Sequence, residues 1–334
     1  MPEVAVLLPV YNGANYLESS IKSVLAQHCD LELHILDGCS TDATPSIAQS
    51  TGDPRVRYSC TDGGAFARWN RGFQQASAPL LRLWAHDDLM LPGSLDSFVR
   101  FAHEHPRAGM IYCDFASISA AGERTGSDRR YEAQRDRTPT LADPPLSALL
   151  FFCFGCLPGN ISTVMLRHDV WEQAGGFRED LEQAPDYDMW LRVSEFAQVG
   201  FVREKLIELR DHPLQMSKVG QRRLTTIDED LMVFKELRRR LNGSVTQREF
   251  MGFWRHHRGR QHAHWLVKSL TRGDVALSRR GWRALKQYGQ PWRQLLFWLA
   301  SANGRMFTID NARFFDTLLP RVTRAGPAPD TPAR

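Results

Sequence analysis

Nowhere in the 334 residues does an apolar run approach the ~18–20 residues that cross a bilayer, which excludes a spanning helix. Met1-Pro2-Glu3 has no basic segment, and Val4–Val10 is too short for a signal sequence, so the expected location is the cytoplasm. Cysteine is scarce, with six residues, and a cytoplasmic chain keeps its thiols reduced, so no disulfide is expected. Cys153-Phe-Gly-Cys156 lacks the second pair that a structural zinc needs. Buried or loop thiols are expected there, with a redox or metal role as the alternative. The glycine patterns of the P-loop and of the dinucleotide fold are absent. No internal repeat occurs. What remains is ordinary for a globular protein: 43% hydrophobic and 24% charged residues, enough for one large α/β domain with an appendage.

The net charge of +4 conceals two opposed halves. Residues 216–334 hold 23 Lys and Arg against 9 Asp and Glu, whereas the preceding 215 residues hold 19 against 29. Two readings of the basic part are open. One is a solvated helical surface. The other is a region that sits on anionic lipid headgroups or holds an anionic acceptor. A nucleic-acid partner is not expected.

Strand and helix patterns alternate through the first hundred residues. Val4–Val10 and Leu31–Leu36 read as buried strands, and Asn15–Gln27 carries Leu17, Ile21, Val24 and Leu25 at helical spacing. Arg55–Tyr58, Pro79–Trp84 and Gly109–Ser117 read as further strands. Ala65–Ala76 and Gly93–His103 read as helices. This alternation implies βαβ units, a mostly parallel sheet, and ligands at the carboxyl ends of its strands. Residues 120–145, polar and Pro-rich, are expected to form a mobile loop or lid. Ile161–Leu166 reads as a strand and Asp186–Phe196 as a helix. From Met216 the pattern is helical, with Leu231, Phe234, Leu237 and Leu241 on one face. Trp282–Ala302 mixes Trp, Leu, Arg and Lys and suits either a membrane interface or packing between helices. Residues 325–334 are expected to be disordered.

The chemistry gathers at the predicted strand ends. Leu83-Trp84-Ala85-His86-Asp87-Asp88 closes one strand with adjacent carboxylates, which repel unless a cation lies against them. A hard divalent ion, Mn²⁺ or Mg²⁺, suits carboxylates and diphosphate oxygens alike. A helix cap before Pro92-Gly93 is the alternative. Pro9-Val10-Tyr11-Asn12-Gly13 ends the first strand and Ile35-Leu36-Asp37-Gly38-Cys39-Ser40-Thr41-Asp42 the second. Asp62-Gly63-Gly64-Ala65-Phe66-Ala67-Arg68-Trp69-Asn70-Arg71-Gly72 precedes the fourth. Asp186-Tyr187-Asp188-Met189-Trp190-Leu191-Arg192 opens a helix, and Arg210-Asp211-His212-Pro213-Leu214-Gln215-Met216-Ser217 follows the last strand.

In this order the segments resemble family 2 glycosyltransferases of the GT-A fold, over about residues 3–217. The resemblance implies a Rossmann-like α/β domain over 1–217; the helical, basic pattern beyond it reads as a separate region over 218–324, followed by a tail over 325–334. It implies that Pro9, Tyr11 and Asn12 meet the base and ribose of a nucleotide sugar, and that Asp37 accepts a hydrogen bond from a uracil or thymine ring. Ser40 either reaches the ribose or only caps the next helix. Asp62 and Arg68 match positions near the ribose and diphosphate. Asp88 matches the metal ligand, and Asp87 contacts the ribose or acts on the metal indirectly. His86 stands where the family more often has Asp, Asn or Ser, so a role behind the ligands is expected. His212 is a candidate second metal ligand. Asp186 matches the catalytic base, with Pro185 where the family often has an acid, and Trp190 is a substrate-side candidate in the same motif. Asn160, in Gly159–Thr163, is a weaker candidate contact to a sugar hydroxyl.

The resemblance therefore implies a glycosyltransferase, a hexosyl- or related transferase. It would move a sugar from UDP or dTDP to a glycan or lipid-linked hydroxyl, with metal and with inversion, in surface polysaccharide or lipopolysaccharide synthesis. Two rivals differ in kind. A nucleotidyltransferase making nucleotide sugars needs a basic triphosphate loop near strand one, and Pro9–Gly13 has no Lys or Arg. An inactive scaffold or carbohydrate-binding protein would bind no nucleotide sugar.

Overall fold

Strand β1 (Val4–Val10) is buried at every residue, as a strand covered on both faces must be. It pairs in parallel with β2 (Leu31–Asp37) on one side and β4 (Leu80–Leu83) on the other. Strand β3 (Val56–Cys60) extends this parallel half beyond β2. The computed structural model describes residues 1–213, 215, 226–241, 243–287, 290–300 and 310–324. The remaining strands are β5 (Leu89–Met90), β6 (Ala108–Ser119), β7 (Leu141–Ala142), β8 (Val164–Arg167) and β9 (Gln198–Asp211). The sheet runs β3-β2-β1-β4-β8-β6-β9-β5, with β7 also on β9. Beyond β4 it is mixed, because β8 lies antiparallel to both β4 and β6.

Helices α1 (Ala14–Leu25), α2 (Thr44–Gln49), α3 (Ala65–Gln75) and α4 (Ser94–Glu104) connect the first strands. Leu17, Ile21 and Val24 form the buried stripe of α1. Helix α3 lies close on the sheet through Gly72, where a Cβ would come within 2.6 Å of Leu36. Later come α5 (Glu132–Arg137), α6 (Pro144–Phe154), α7 (His168–Ala174) and α8 (Pro185–Val193).

Residues 120–145 correct the sequence reading. They hold a 3₁₀ turn at Ser127–Tyr131, α5 and β7 in place of an open loop. The buried Asp128 accepts from Lys205 Nζ at 2.6 Å, and Arg135 bridges Asp114 at 2.5 Å and Asp128 at 3.8 Å. These charges tie the segment to β6 and β9.

The described residues divide into two compact units. One comprises residues 1–147, 156–180 and 185–215, and the other 148–155, 181–184 and 216–334. In the second, helices Thr226–Arg240, Gln247–Trp254, Arg260–Thr271, Val275–Gln287, Pro291–Ala300 and Asn311–Arg324 surround an aromatic core. Phe152 stacks on Phe250 at 4.5 Å, and Phe253 on Phe314 at 4.6 Å. Phe234, Leu237 and Leu241 are buried, as their spacing requires. The Glu229 carboxylate, itself buried, accepts backbone N–H bonds from Glu182, Gln183 and Ala184 at 2.6–2.8 Å. Met216, Ser217 and the tail 325–334 lie outside the described residues. Among those described, no helix is long and apolar enough to cross a membrane.

Candidate active site

The carboxyl ends of β1, β2 and β4 form one edge, and the turns that follow them interlock. Asn12 N–H donates to Ser40 Oγ at 2.8 Å, and Asn12 Oδ1 accepts from Thr41 N–H at 2.9 Å. Gly13 N–H donates to Thr44 Oγ1 at 2.9 Å, and Ala14 N–H to Asp42 at 3.1 Å. Asn12 and Cys39 adopt left-handed backbone, at φ 49° and 57°, a conformation that asparagine tolerates better than most side chains. Bonds between the two turns hold this shape.

Asp37 is wholly buried. Its Oδ1 accepts from the Ser40 N–H at 3.0 Å and hydroxyl at 2.6 Å, and its Oδ2 from Tyr58 Oη at 2.8 Å. Burial, then the bond to Asp37, push the Tyr58 phenol up to about 12. Tyr11 is exposed on the rim. A Cβ on Gly38 would lie 2.5 Å from the Arg68 guanidinium and 3.3 Å from the Tyr11 ring. Glycine there lets the backbone pass between the two. Arg68 is buried, donates to the Gly63 carbonyl and leaves Nε without a partner. Burial lowers its pKa, against the pull of Asp37. Asp62 is exposed, and its carbonyl accepts from Arg71 at 2.6 Å. Pro9 is buried within β1.

At the end of β4, Trp84 is buried and donates to Ser20 at 2.8 Å. The His86 ring lies against Gly13, where a Cβ would meet it at 2.4 Å. Burial holds its imidazole below the usual value, against Asp87. Asp87 Oδ2 lies 2.8 Å from His212 Nε2. Asp88 is 1% exposed; its Oδ1 accepts from Arg210 N–H at 2.9 Å, and its Oδ2 is buried without a partner. Burial, and next the Asp87 charge, raise the Asp88 carboxyl well above the carboxylate range. Among the described residues no group of three or more His, Cys, Asp or Glu side chains forms a ready metal cluster. Asp88 and His212 are related through Asp87.

Asp186 stands half-buried at the start of α8, where its Oδ1 accepts from Tyr187 N–H at 2.7 Å. Asp188 points elsewhere and pairs with Arg192 at 2.8 Å. Trp190 is wholly buried, edge-on to Phe177. Its ring supports α8 from the core and has no surface for a ligand. Asn160 Oδ1 accepts from Ser162 N–H at 2.7 Å, and Ser162 Oγ accepts from Ala85 N–H at 3.0 Å. The Gly159–Thr163 turn therefore buttresses the strand end that carries Asp87 and Asp88.

Three features escaped the sequence reading. Arg210 donates to the Asp87 carbonyl at 2.9 Å and the Ala120 carbonyl at 3.0 Å, with its guanidinium 4.7 Å from the Tyr16 ring centroid. Its place two residues before His212 was the available signal. Tyr58, at the end of β3, holds Asp37. Cys39 and Cys60 form a disulfide with Cα atoms 5.1 Å apart, correcting the expectation of free thiols. The parallel register that sets Asp37 beside Cys60 brings the two sulfurs together. Among the described residues Cys153 and Cys156 form no disulfide, and burial raises the Cys153 thiol strongly.

Residues 5–162 match the family described as Glycosyl transferase family 2. An uncharacterised glycosyltransferase of Rickettsia typhi is 27% identical over 228 residues, covering 67% of this chain and 68% of its own. S. aureus TarS 1–349 in complex with UDP-GlcNAc superposes with a TM-score of 0.64 at 15% identity, over 96% of this chain and 92% of that one. The mannosyltransferase PcManGT from Pyrobaculum calidifontis, in complex with GDP-Man and Mn²⁺, superposes with a TM-score of 0.55 at 16% identity, over 97% and 86%. At such identities these two structures establish the GT-A-type fold.

Proposed function

The chain belongs to family 2 of the glycosyltransferases, and on that premise we propose that it moves a sugar from UDP or dTDP to a hydroxyl of a glycan or lipid-linked acceptor, with inversion. One observation carries the reading. A buried carboxylate pair closes a parallel strand beside an imidazole, with one oxygen unanswered, next to turns that offer an aromatic ring, a carboxylate and a guanidinium.

On this reading Tyr11 stacks on the base, and Asp37, held by Ser40 and Tyr58, accepts from its ring N–H. Pro9, Asn12 and Ser40 shape the ribose side, with Asp62 and Asp87 near the ribose. Arg68 faces the diphosphate, to which a guanidinium bonds well. Asp186 removes the proton of the acceptor hydroxyl as that oxygen attacks the anomeric carbon. The bond from that carbon to the diphosphate oxygen breaks on the opposite face, and the nucleoside diphosphate leaves with the electron pair.

A divalent ion fits the donor set. Asp88 has a buried oxygen without a partner, and two adjacent carboxylates with an imidazole suit Mn²⁺ or Mg²⁺. Asp88 and His212 would hold it, with Asp87 alongside. When bound, the ion neutralises charge developing on the leaving diphosphate. The PcManGT complex with GDP-Man and Mn²⁺ supports a metal in this fold. We assign the acceptor to surface polysaccharide or lipopolysaccharide synthesis at the cytoplasmic face of a membrane, touched peripherally through the basic helices.

The test compares Asp186→Asn with the parent. Transfer should fall by roughly 10²- to 10⁴-fold while donor-induced thermal stabilisation persists. Unchanged transfer would refute the base assignment. Failure of UDP-, dTDP- and GDP-sugars alike to stabilise the fold, with and without Mn²⁺, would refute the donor site.

A further inference from the structure

The second unit exposes apolar side chains that a water-facing helix normally buries. On Pro291–Ala300, Trp292, Leu296 and Leu299 follow i, i+4, i+7 spacing and so form one stripe, each about half exposed or more. On the neighbouring helices Leu270, Val275 and Trp282 are similarly open. Arg260–Thr271 and Val275–Gln287 pack on one another, and between them runs a groove of about 720 Å³ lined by Leu266, Leu270, Val275, Arg279, Trp282 and Arg283. From Leu266 to Ala300 the chain has seven Lys and Arg against a single acid, Asp274. Arg272, Arg279, Arg280, Arg283, Lys286 and Arg293 are all exposed, and the Arg293 guanidinium lies 5.2 Å from the Trp292 ring centroid.

We propose that this face docks on the surface of an anionic phospholipid bilayer, with Trp282, Trp292, Leu296 and Leu299 inserted at headgroup depth and the arginines on lipid phosphates. The proposal sharpens the peripheral contact suggested above and rests on that reading, but not on the roles given to Asp88 or Asp186. Three properties select the occupant. The exposed rings are tryptophans, which favour the boundary between headgroups and acyl chains. Arginine and lysine surround them, as in helices that lie in the plane of a membrane. A second copy is disfavoured, because a twofold contact through this patch would set the same cations against each other.

The experiment is sedimentation of the full chain with phosphatidylcholine vesicles, with and without phosphatidylglycerol. The parent should bind the phosphatidylglycerol vesicles at least tenfold more tightly, and added salt should weaken that binding. Trp282→Glu with Leu296→Glu should reduce binding at least tenfold, and Arg279→Glu with Arg283→Glu should remove the preference for phosphatidylglycerol. Circular dichroism and the donor-induced thermal shift should match the parent in both variants. Equal binding to the two vesicle types, or binding to neither, overturns the proposal. So does light scattering that shows a parent dimer and a monomeric Trp282→Glu, Leu296→Glu variant without vesicle binding, which assigns the face to a second copy. Loss of the donor-induced shift in the parent, with vesicle binding intact, defeats the transferase site and leaves the docking face standing.

Discussion

The two units place their charged and apolar groups in opposite ways. The first buries charge. Asp37, Arg68, Arg82, Asp88, Asp114, Asp128 and Arg210 all lie below the surface, and most are satisfied by partners far away in sequence. Among the described residues, the second exposes most of its cations and a set of large apolar side chains, and draws inside Glu229, Asp230, His262, the Arg240 side chain and a few neutral polar groups. Buried charge is costly unless it is paired, so it marks places where geometry is needed more than stability. Exposed apolar surface beside cations serves no such purpose inside the chain and marks a surface awaiting something outside it. The first unit keeps its charged groups inside, and the second turns most of its cations and these apolar side chains outward.

The largest effect expected from this contrast is at Arg210. Its guanidinium serves the carbonyls of Asp87, Ser119 and Ala120, and its backbone N–H serves Asp88. Arg210→Ala should destabilise the first unit by about 3–5 kcal/mol, the range for breaking a buried charged network. Denaturant unfolding measures it, and a cost no greater than that of a surface charge would erase the contrast. Glu229 is the sharpest exception in the second unit, since its buried carboxylate answers three backbone donors. Glu229→Ala should cost about 2–3 kcal/mol, because those donors lose a charged acceptor. A loss below about 1 kcal/mol would show that water replaces the carboxylate, and that the second unit buries no charge that matters.

The smallest effect concerns pH. Burial, aided by Arg258, holds His257 down at about 4, below the ordinary histidine value, and its ring lies tilted against Phe253 with centroids 4.2 Å apart. A lowered folded-state value means that the unfolded chain binds the extra proton first. The stabilisation is therefore complete above the unfolded value near 6.5 and is lost as pH falls towards 4. The second unit should lose about 1–2 kcal/mol between pH 7.5 and 5, and His257→Phe should flatten that slope. An unchanged slope in the variant would place the pH response in other groups.

The order of strands and helices up to Ser119 was legible because each element carries its own period. Val4–Val10 is a continuous apolar run, and Leu17, Ile21 and Val24 recur at one helical face. The candidate site was legible as isolated turns, and the family resemblance supplied their common purpose. What stayed hidden depended on partners distant in the chain. Residues 120–145 read as a lid because their polar side chains have no local use. Asp128 is answered by Lys205, 77 residues on, and the segment is ordered by that pair. Arg210 reaches back 123 residues to Asp87. Trp190 read as a ligand contact in its motif, yet helix α8 turns it inward to Phe177.

By itself the sequence determined the periodicities, the turn residues at the strand ends, the adjacent carboxylates and the basic second half, since all of these are local in the chain. Tertiary structure alone decided that Asp88 keeps one oxygen unanswered, that Tyr58 and Ser40 occupy Asp37, and that Cys39 meets Cys60. It also decided that Trp292, Leu296 and Leu299 face outward. Which apolar stripe becomes core and which stays exposed depends on the neighbour that packs against it, and a helical period cannot name that neighbour.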